Sequence, residues 1–168
     1  MKILYCPWRN KYSESVSGDK NEQVTEDACA FCLKFKDNRD ADHFIIKRFK
    51  HCVAIMNLYP YNAGHLLIIP FKHIACLSEL NDEERNELMW VLTMSSDILK
   101  QSLGAQGINI GLNMGRAAGA GIPSHLHVHI VPRWGGDTNF MPIIAETKTI
   151  SFDMREIYNK LSVAFNTL

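Results

Sequence analysis

The sequence predicts an α+β fold, with an antiparallel β-sheet covered by helices on one side. β-prone segments follow one another directly, three between residues 43 and 70 and two between residues 108 and 134. Helical patterns at residues 81–103 and 152–165 stand apart from them. The regular strand–helix–strand alternation of a parallel sheet is absent, which favours antiparallel pairing. One side of the second helical pattern is apolar, and carries Met154, Ile157, Tyr158, Leu161 and Phe165.

A predicted β-hairpin opens the ordered part of the chain. Its strands are Phe44–Ile46 and Cys52–Met56, which are rich in β-prone residues, with polar residues at the turn. Residues 57–64 contain Asn, Pro and Gly at turn-compatible places, so they are read as a loop. Residues 65–70 form an almost continuous apolar run, typical of a central strand covered on both faces.

The clearest helix is predicted over residues 81–103. Asn81 can cap it, and Glu84 three residues later completes the pattern of a capping box. Gly104 and Gly107 are expected to end it. Side chains that recur at helical spacing should bury one face, namely Leu88, Leu92, Ser95, Leu99 and Leu103.

Two further strands are predicted on either side of a glycine-rich segment. Residues 108–113 alternate between apolar and small or polar side chains, as a strand does. Residues 115–123 then contain three glycines, which allow backbone N–H groups to approach an anion closely. A glycine-rich turn is a weak signal by itself. It gains weight because it leads directly into residues 124–134.

Histidines alternate with aliphatic residues in that last strand. His125, His127 and His129 share one face, because side chains two residues apart on a strand point the same way. Leu126, Val128 and Ile130 occupy the other face, which is expected to pack in the core. Three neighbouring imidazoles repel one another when charged, so some should stay neutral and nucleophilic. Spacing alone leaves a metal site, a catalytic cluster and a structural cluster open.

Composition fits a single domain over residues 1–168. Hydrophobic residues make up 46% of the chain and charged residues 21%, which is typical of a globular protein. Residues 1–27 are largely polar and are expected to form a partly ordered N-terminal extension. The formal net charge is zero, so neither a nucleic acid polymer nor a membrane surface is expected as the main partner.

Cysteine usage indicates a reducing compartment. Five cysteines are present, an odd number, and no secretory apolar segment follows Met1. A disulfide framework is therefore not expected, and a cytoplasmic location is predicted.

Cys29 and Cys32 form a Cys-x-x-Cys pair with three possible meanings: a zinc site, a redox site or two small buried residues. Redox work is disfavoured, because no thioredoxin-like pattern surrounds the pair. Zinc needs two more ligands. His73 and His125 are the candidates, although spacing alone does not select them.

The motifs together resemble the histidine triad (HIT) family of nucleotide hydrolases and transferases. The family signature matches His125-x-His127-x-His129 followed by two apolar residues. Other matching segments are Asn113-x-Gly115 with Ala118-Gly119, the Asn57, Pro60 and Gly64-His65 segment, Pro7-Trp8-Arg9, and Trp134 to Pro142. The last two resemble the bacterial branch of dinucleoside polyphosphate phosphorylases and hydrolases. The resemblance implies a HIT-like antiparallel sheet of about five strands, with one long and one C-terminal helix.

The resemblance also implies catalytic roles. His127 is the nucleophile, which attacks the α-phosphorus of a dinucleoside polyphosphate and forms a nucleotidyl-histidine intermediate. His129 donates to the scissile phosphate, and His65 supports this face from the neighbouring strand. His125 either assists the leaving group or binds a metal. Hydrolysis of nucleoside phosphoramidates, or nucleotide binding with negligible turnover, are the alternatives.

Substrate-binding residues follow from the same resemblance. Asn57 meets the ribose, and apolar residues near Ile55 and Leu66 flank the base. Phosphoryl oxygens are held by the Asn113 side chain and by the backbone of a short segment comprising Gly119, Ala120, Gly121 and Ile122. The fragile-histidine type of hydrolase has Gln where this chain has Gly121. This departure leaves water or phosphate open as the second-step acceptor.

Metal and partner expectations complete the resemblance. Some members with Cys-x-x-Cys bind structural Zn²⁺ through residues that match Cys29, Cys32, His73 and His125. Mg²⁺ is expected to travel with the polyphosphate. Members are typically homodimers whose sheets join across a two-fold axis.

Overall fold

The computed structural model describes residues 24–138, 144 and 152–168. They form a five-stranded sheet in the order β1-β2-β3-β5-β4, with every pair antiparallel. The α+β class predicted from the sequence is therefore confirmed. The strands are β1 (Ile45–Arg48), β2 (Cys52–Met56), β3 (Leu66–Pro70), β4 (Gly107–Leu112) and β5 (Val128–Arg133).

Within the described ranges, three helices of several residues accompany the sheet: α1 (Ala30–Lys36), α2 (Asp82–Leu103) and α3 (Met154–Phe165). Of the predicted N-terminal extension, residues 1–23 lie outside the described residues, including Pro7-Trp8-Arg9. Most of the predicted loop at 137–142 lies outside them as well.

Helix α2 begins and ends largely as predicted. Asn81 Oδ1 accepts a hydrogen bond from the Glu84 N–H at 2.9 Å, and Glu84 accepts one from the Asn81 N–H at 2.9 Å. This reciprocal pair is the predicted capping box. Gly104 ends the helix with a φ of 65°, a left-handed conformation that glycine adopts without strain. Gly107 does not end the helix, because it already starts β4.

Both faces of the sheet are covered, which corrects the prediction that helices lie on one side. Helices α2 and α3 pack on the first face, where Leu66, Val128 and Ile130 are buried. Helix α1 covers part of the second face, where Phe31 and Cys32 are buried with strand residues such as Ile55. Helix α1 was not predicted, since seven residues are too few for a clear helical period.

The predicted alternation around β5 is confirmed. Leu126, Val128 and Ile130 are buried in the core beneath α2 and α3. The three intervening histidines therefore face the side that carries α1. Regular pairing begins only at Val128, because the Leu126 N–H bonds to the Ile74 carbonyl outside the sheet.

The structure also shows which residues of β3 lie on each face of the sheet. Leu66 lies in the core beneath α2 and α3, so it cannot flank a base on the histidine side. Leu67 lies on the histidine side with Ile55. A shift of one residue along a strand reverses the face, and the sequence did not fix that register.

Candidate active site and metal centre

His127 is held with one ring nitrogen engaged. Its Nδ1 lies 2.7 Å from the His125 carbonyl oxygen, which can only accept, so Nδ1 carries the proton. The lone pair of the neutral ring is therefore on Nε2. Only 5% of His127 is exposed, and burial lowers its pKa. The ring is consequently neutral near pH 7 and offers Nε2 as a nucleophile.

His65 and His129 form an oriented pair beside it. The Tyr61 backbone N–H donates to His65 Nδ1 at 3.0 Å, which fixes the His65 proton on Nε2. This Nε2 donates to His129 Nδ1 at 3.0 Å. The proton of a neutral His129 therefore lies on Nε2. Burial, together with smaller contributions from charge repulsion by His129 and His127, lowers the pKa of His65 to about 3.

Asn57 lies next to this pair. Its Oδ1 accepts from the Tyr59 N–H at 2.9 Å, and its Nδ2 is 3.3 Å from His65 Nδ1. The structure therefore brings the predicted ribose-binding residue beside His65, at the end of β2.

The imidazole of His125 points away from the other two triad rings. Its Nδ1 lies 3.4 Å from both Cys29 Sγ and Cys32 Sγ and 3.3 Å from His73 Nδ1. Cys32 Sγ is 3.3 Å from His73 Nδ1. All four ligand atoms lie within 4.8 Å of one another. The four residues predicted to bind a metal are thus brought together.

Both imidazoles in this cluster have the protonation a metal requires. His125 Nε2 donates to the Pro70 carbonyl at 2.9 Å, and His73 Nε2 donates to the Val24 carbonyl at 3.0 Å. Each ring therefore turns an unprotonated Nδ1 inward, and its backbone partner fixes the ring orientation.

The dimensions of the cluster also suit Zn²⁺. Zn–S bonds of about 2.3 Å and Zn–N bonds of about 2.0–2.1 Å give tetrahedral edges of about 3.6 Å for S···N and about 3.3 Å for N···N. Four of the six separations, three S···N at 3.3–3.4 Å and one N···N at 3.3 Å, lie within about 0.3 Å of these edges, and the other two are within 4.8 Å. The residues present fit a tetrahedral Cys₂His₂ site.

The predicted phosphate loop connects β4 to β5. Arg116–Ala118 forms a 3-10 turn within it, flanked by Gly115 and Gly119 with φ of 82° and 87°. The Gly119 N–H bonds to the Arg116 carbonyl and the Ala120 N–H to the Gly115 carbonyl. These two predicted donors are therefore engaged in the turn itself.

The remaining predicted phosphate ligands follow that turn or precede it. Gly121 and Ile122 come next, and Ile122 packs beside α1 on the histidine side. Asn113 is partly exposed and lines a pocket together with His129.

Two aromatic residues at the site were missed by sequence reasoning. The Phe31 ring lies 5.3 Å from the His127 ring and 5.6 Å from the His125 ring. The Tyr61 ring stacks on His129 at 5.6 Å and 13°. The sequence did contain a signal for Phe31. This residue lies between Cys29 and Cys32, so a metal site that includes these two cysteines and His125 also places Phe31 near the triad. No comparable pattern marked Tyr61.

An antiparallel sheet that presents a buried, neutral imidazole beside an oriented histidine pair defines a class of protein whose site offers a nitrogen nucleophile. The HIT domain model matches residues 38–136. The chain belongs to the HIT family, which confirms the resemblance seen in the sequence.

Relatives cover most of the chain. A Mycobacterium tuberculosis protein named AP-4-A phosphorylase is 35% identical over 156 residues, 93% of this chain and 80% of its own length. A Zn-bound histidine triad family protein from Mycobacterium smegmatis has a TM-score of 0.69 at 27% identity, with 85% of this chain and 96% of that chain covered. A hypothetical histidine triad nucleotide-binding protein from Sulfolobus tokodaii has a TM-score of 0.64 at 32% identity, with 83% of this chain and 90% of that chain covered. These relatives confirm the prediction of a HIT-type enzyme.

Within the described part of the chain, no helix combines the length and apolar character needed to span a membrane.

Proposed function

We propose that the protein transfers a nucleotide from a dinucleoside polyphosphate to inorganic phosphate through a covalent bond to His127. One observation carries the proposal: the bond from His127 Nδ1 to the His125 carbonyl leaves Nε2 unprotonated. Similarity to a protein named AP-4-A phosphorylase supports the substrate class and the acceptor.

In the first step, His127 Nε2 forms a bond to the α-phosphorus. The bond from that phosphorus to the bridging oxygen breaks, and the nucleoside polyphosphate leaves with the electron pair. The imidazole keeps its Nδ1 proton and becomes positively charged, which the His125 carbonyl stabilises. His129, with its proton set on Nε2 by His65, donates to a phosphoryl oxygen.

In the second step, a phosphate oxygen attacks the same phosphorus. The new P–O bond forms as the P–N bond breaks, and the electron pair returns to Nε2. Diadenosine tetraphosphate then yields ATP and ADP, whereas water as the acceptor yields ATP and AMP. We propose that Asn57 binds the ribose and that Asn113, Gly121 and Ile122 support the transferred phosphoryl group. The N–H groups of Gly119 and Ala120 act by shaping the loop.

The test is an assay with diadenosine tetraphosphate, with and without added phosphate, followed by separation of the products. ADP and ATP that form only with phosphate support the proposal. AMP and ATP independent of phosphate would make the protein a hydrolase. Turnover of adenosine 5′-phosphoramidate alone would favour phosphoramidate hydrolysis, and binding without turnover would favour a regulator.

We further propose that Cys29, Cys32, His73 and His125 hold a structural Zn²⁺. The fit of the cluster and the Zn-bound relative support this. When bound, the ion cross-links α1 to the segments that contain His73 and His125, and it takes no part in the chemistry. Mg²⁺ is proposed to accompany the polyphosphate.

We also propose an oligomeric state and a cellular location. Among the residues that the structure describes, strand β4 has a neighbour on one side only, and Ile110 on it is 51% exposed. An uncovered edge strand is a template for pairing with a second copy, so we propose a homodimer through β4.

The cysteines described, at 29, 32, 52 and 76, are all free thiols, which supports a cytoplasmic location.

A further inference from the structure

A pocket of about 420 Å³ lies on the histidine face of the sheet, over β4 and β5. We call it the β4 pocket, and define it by Tyr61, Asn62, Asn109, Asn113, His129 and Arg133. Its size is within the usual range for small-molecule sites. Because His129 lines the pocket, the pocket lies directly beside the proposed reaction centre.

The β4 pocket is separate from the segment proposed to bind the transferred nucleoside. Ile55 and Asn57 lie on or just after β2, and β3 separates β2 from β5 in the sheet. Neither residue lines the pocket. The two regions therefore flank the His65–His129 pair on opposite sides.

Electrostatics disfavour a phosphate chain deep in this pocket. Arg133 is bound to the Asp137 carboxylate by two hydrogen bonds of 2.6 and 2.9 Å and donates to Asn109 Oδ1 at 2.8 Å. Asn62 also donates to Asp137 at 2.8 Å, and Arg133 holds the pKa of that carboxyl well below its usual range. Since the carboxylate offsets the guanidinium charge at close range, the wall suits a neutral group.

The remaining lining suits a nucleoside. Tyr61 and His129 present nearly parallel rings, and a planar base stacks on such a surface. Val131 adds an apolar contact. Asn62 Nδ2 already donates to Pro132 and Asp137, and Asn109 Oδ1 already accepts from Arg133. Asn62 Oδ1, Asn109 Nδ2 and the Asn113 carboxamide are left to supply the acceptor and donor groups that base edges and ribose hydroxyls require.

We propose that the β4 pocket binds the nucleoside of the departing nucleotide, so that a dinucleoside polyphosphate spans the triad with one nucleoside on each side. This inference rests on the proposed function. It explains why a pocket without net charge adjoins a centre that handles phosphates. The phosphate chain crosses His127 and His129. The second nucleoside lies in the β4 pocket, against the ion pair of Arg133 and Asp137.

Gly111 offers a direct test, because it lines the pocket and pairs with His129 across the sheet. A Cβ added there meets nothing within 4 Å, and the backbone φ is not positive, so Gly111→Val fills the pocket without strain. Gly107→Val is the matched control. It adds the same volume to the same strand, outside the pocket, where a Cβ meets only Arg133 Cβ at 3.8 Å.

The measurement is kcat/KM for diadenosine tetraphosphate divided by kcat/KM for adenosine 5′-phosphoramidate, whose leaving group has no nucleoside. Gly111→Val should lower this ratio by about tenfold or more, because only the larger substrate reaches the pocket. Gly107→Val should leave it unchanged. A ratio unaffected by Gly111→Val, or an equal loss for both substrates, would overturn the inference.

A binding experiment separates this inference from the proposed function. Calorimetry on the His127→Ala chain compares methylene-bridged diadenosine tetraphosphate with adenosine 5′-tetraphosphate, which lacks the second nucleoside. The inference expects the former to bind about tenfold more tightly, and expects Gly111→Val to remove that preference. Equal affinities would refute nucleoside binding in the β4 pocket, even if the enzyme is active. A preference found in a protein without turnover would support the pocket while the proposed function fails.

Discussion

His65 Nε2 and His129 Nδ1 lie 3.0 Å apart, and the direction of the hydrogen bond between them is fixed from outside the pair. A backbone N–H, that of Tyr61, donates to the other nitrogen of His65 and cannot reverse its role. One amide of the loop between β2 and β3 thereby sets the tautomer of a triad histidine on β5.

We predict that His65→Leu lowers kcat by about tenfold to a hundredfold, the usual effect of losing a group that orients a site residue. Without the bond, His129 can place its proton on either nitrogen. His65→Gln should retain more activity, because its amide can accept from Tyr61 and donate to His129. Steady-state kinetics should show the change in kcat with KM nearly constant. Equal losses in both variants would contradict a role in setting the tautomer.

The same burial predicts a pH dependence of stability. The His65 pKa is lowered to about 3, while the unfolded chain has an ordinary histidine pKa of about 6.5. Between these values the unfolded state binds the extra proton. Stability is therefore complete above about pH 6.5 and falls as the pH drops towards 3, by up to about 1.4 kcal/mol per pH unit for this group.

The measurement is the free energy of unfolding from urea titrations between pH 4 and 7, for the wild type and His65→Gln. His127 and His129 face His65 in both proteins, so the difference between the two slopes reports His65 together with its coupling to these two histidines. The variant should have the flatter profile. Parallel profiles would show that His65 does not resist protonation in the folded state.

Much of the fold was predictable because the patterns were long or chemically marked. Helix α2 combines 22 residues with a capping box, and β5 carries an alternation that leaves one register. Helix α1 gave no such signal. It is held by Phe31 and Cys32 against the sheet, a tertiary contact that local sequence does not announce.

The sequence predicted which residues form the site, but not how their rings and backbone groups are oriented. Sequence placed three imidazoles on one face, yet His125 turns its ring to the cysteines while only its carbonyl serves His127. Tyr61 contributes through its backbone N–H as well as its ring. Backbone contributions leave no residue-type signature, so spacing could not reveal them.

We predict that His127→Ala abolishes nucleotide transfer while the fold and nucleotide binding persist. The loss should be about 1,000-fold or more, because the covalent route disappears with the nucleophile. Rapid acid quench and intact-mass measurement should detect a nucleotidyl adduct on the wild type and none on the variant. His51→Ala, another partly buried histidine outside the triad, provides the control. An adduct that persists in His127→Ala would assign the nucleophile elsewhere.

The edge strand leads to a prediction about assembly. Ile110→Glu places a charge on the exposed side of β4 and should convert a homodimer to monomers, because like charges would meet across the pairing edges. Met89→Glu adds the same charge on α2, where the side chain is 64% exposed, and should leave the dimer intact. Sedimentation velocity distinguishes the two. Identical behaviour of both variants would exclude β4 as the interface.

The proposed metal site is coupled to His127, the proposed nucleophile, through one residue. The His125 ring belongs to the Cys29, Cys32 and His73 cluster, and its carbonyl accepts from His127 at 2.7 Å. Loss of the ion should therefore weaken both the fold and the orientation of His127. We predict that Cys29→Ser lowers bound zinc from about one ion per chain towards zero, lowers the melting temperature and reduces kcat. Cys76→Ser, at an exposed thiol, should change none of these. Metal analysis, thermal unfolding and kinetics on both variants, before and after chelation, make the comparison. Equal zinc in the two variants would remove the site, whereas zinc loss with unchanged kcat would leave the ion purely structural and refute the coupling to His127.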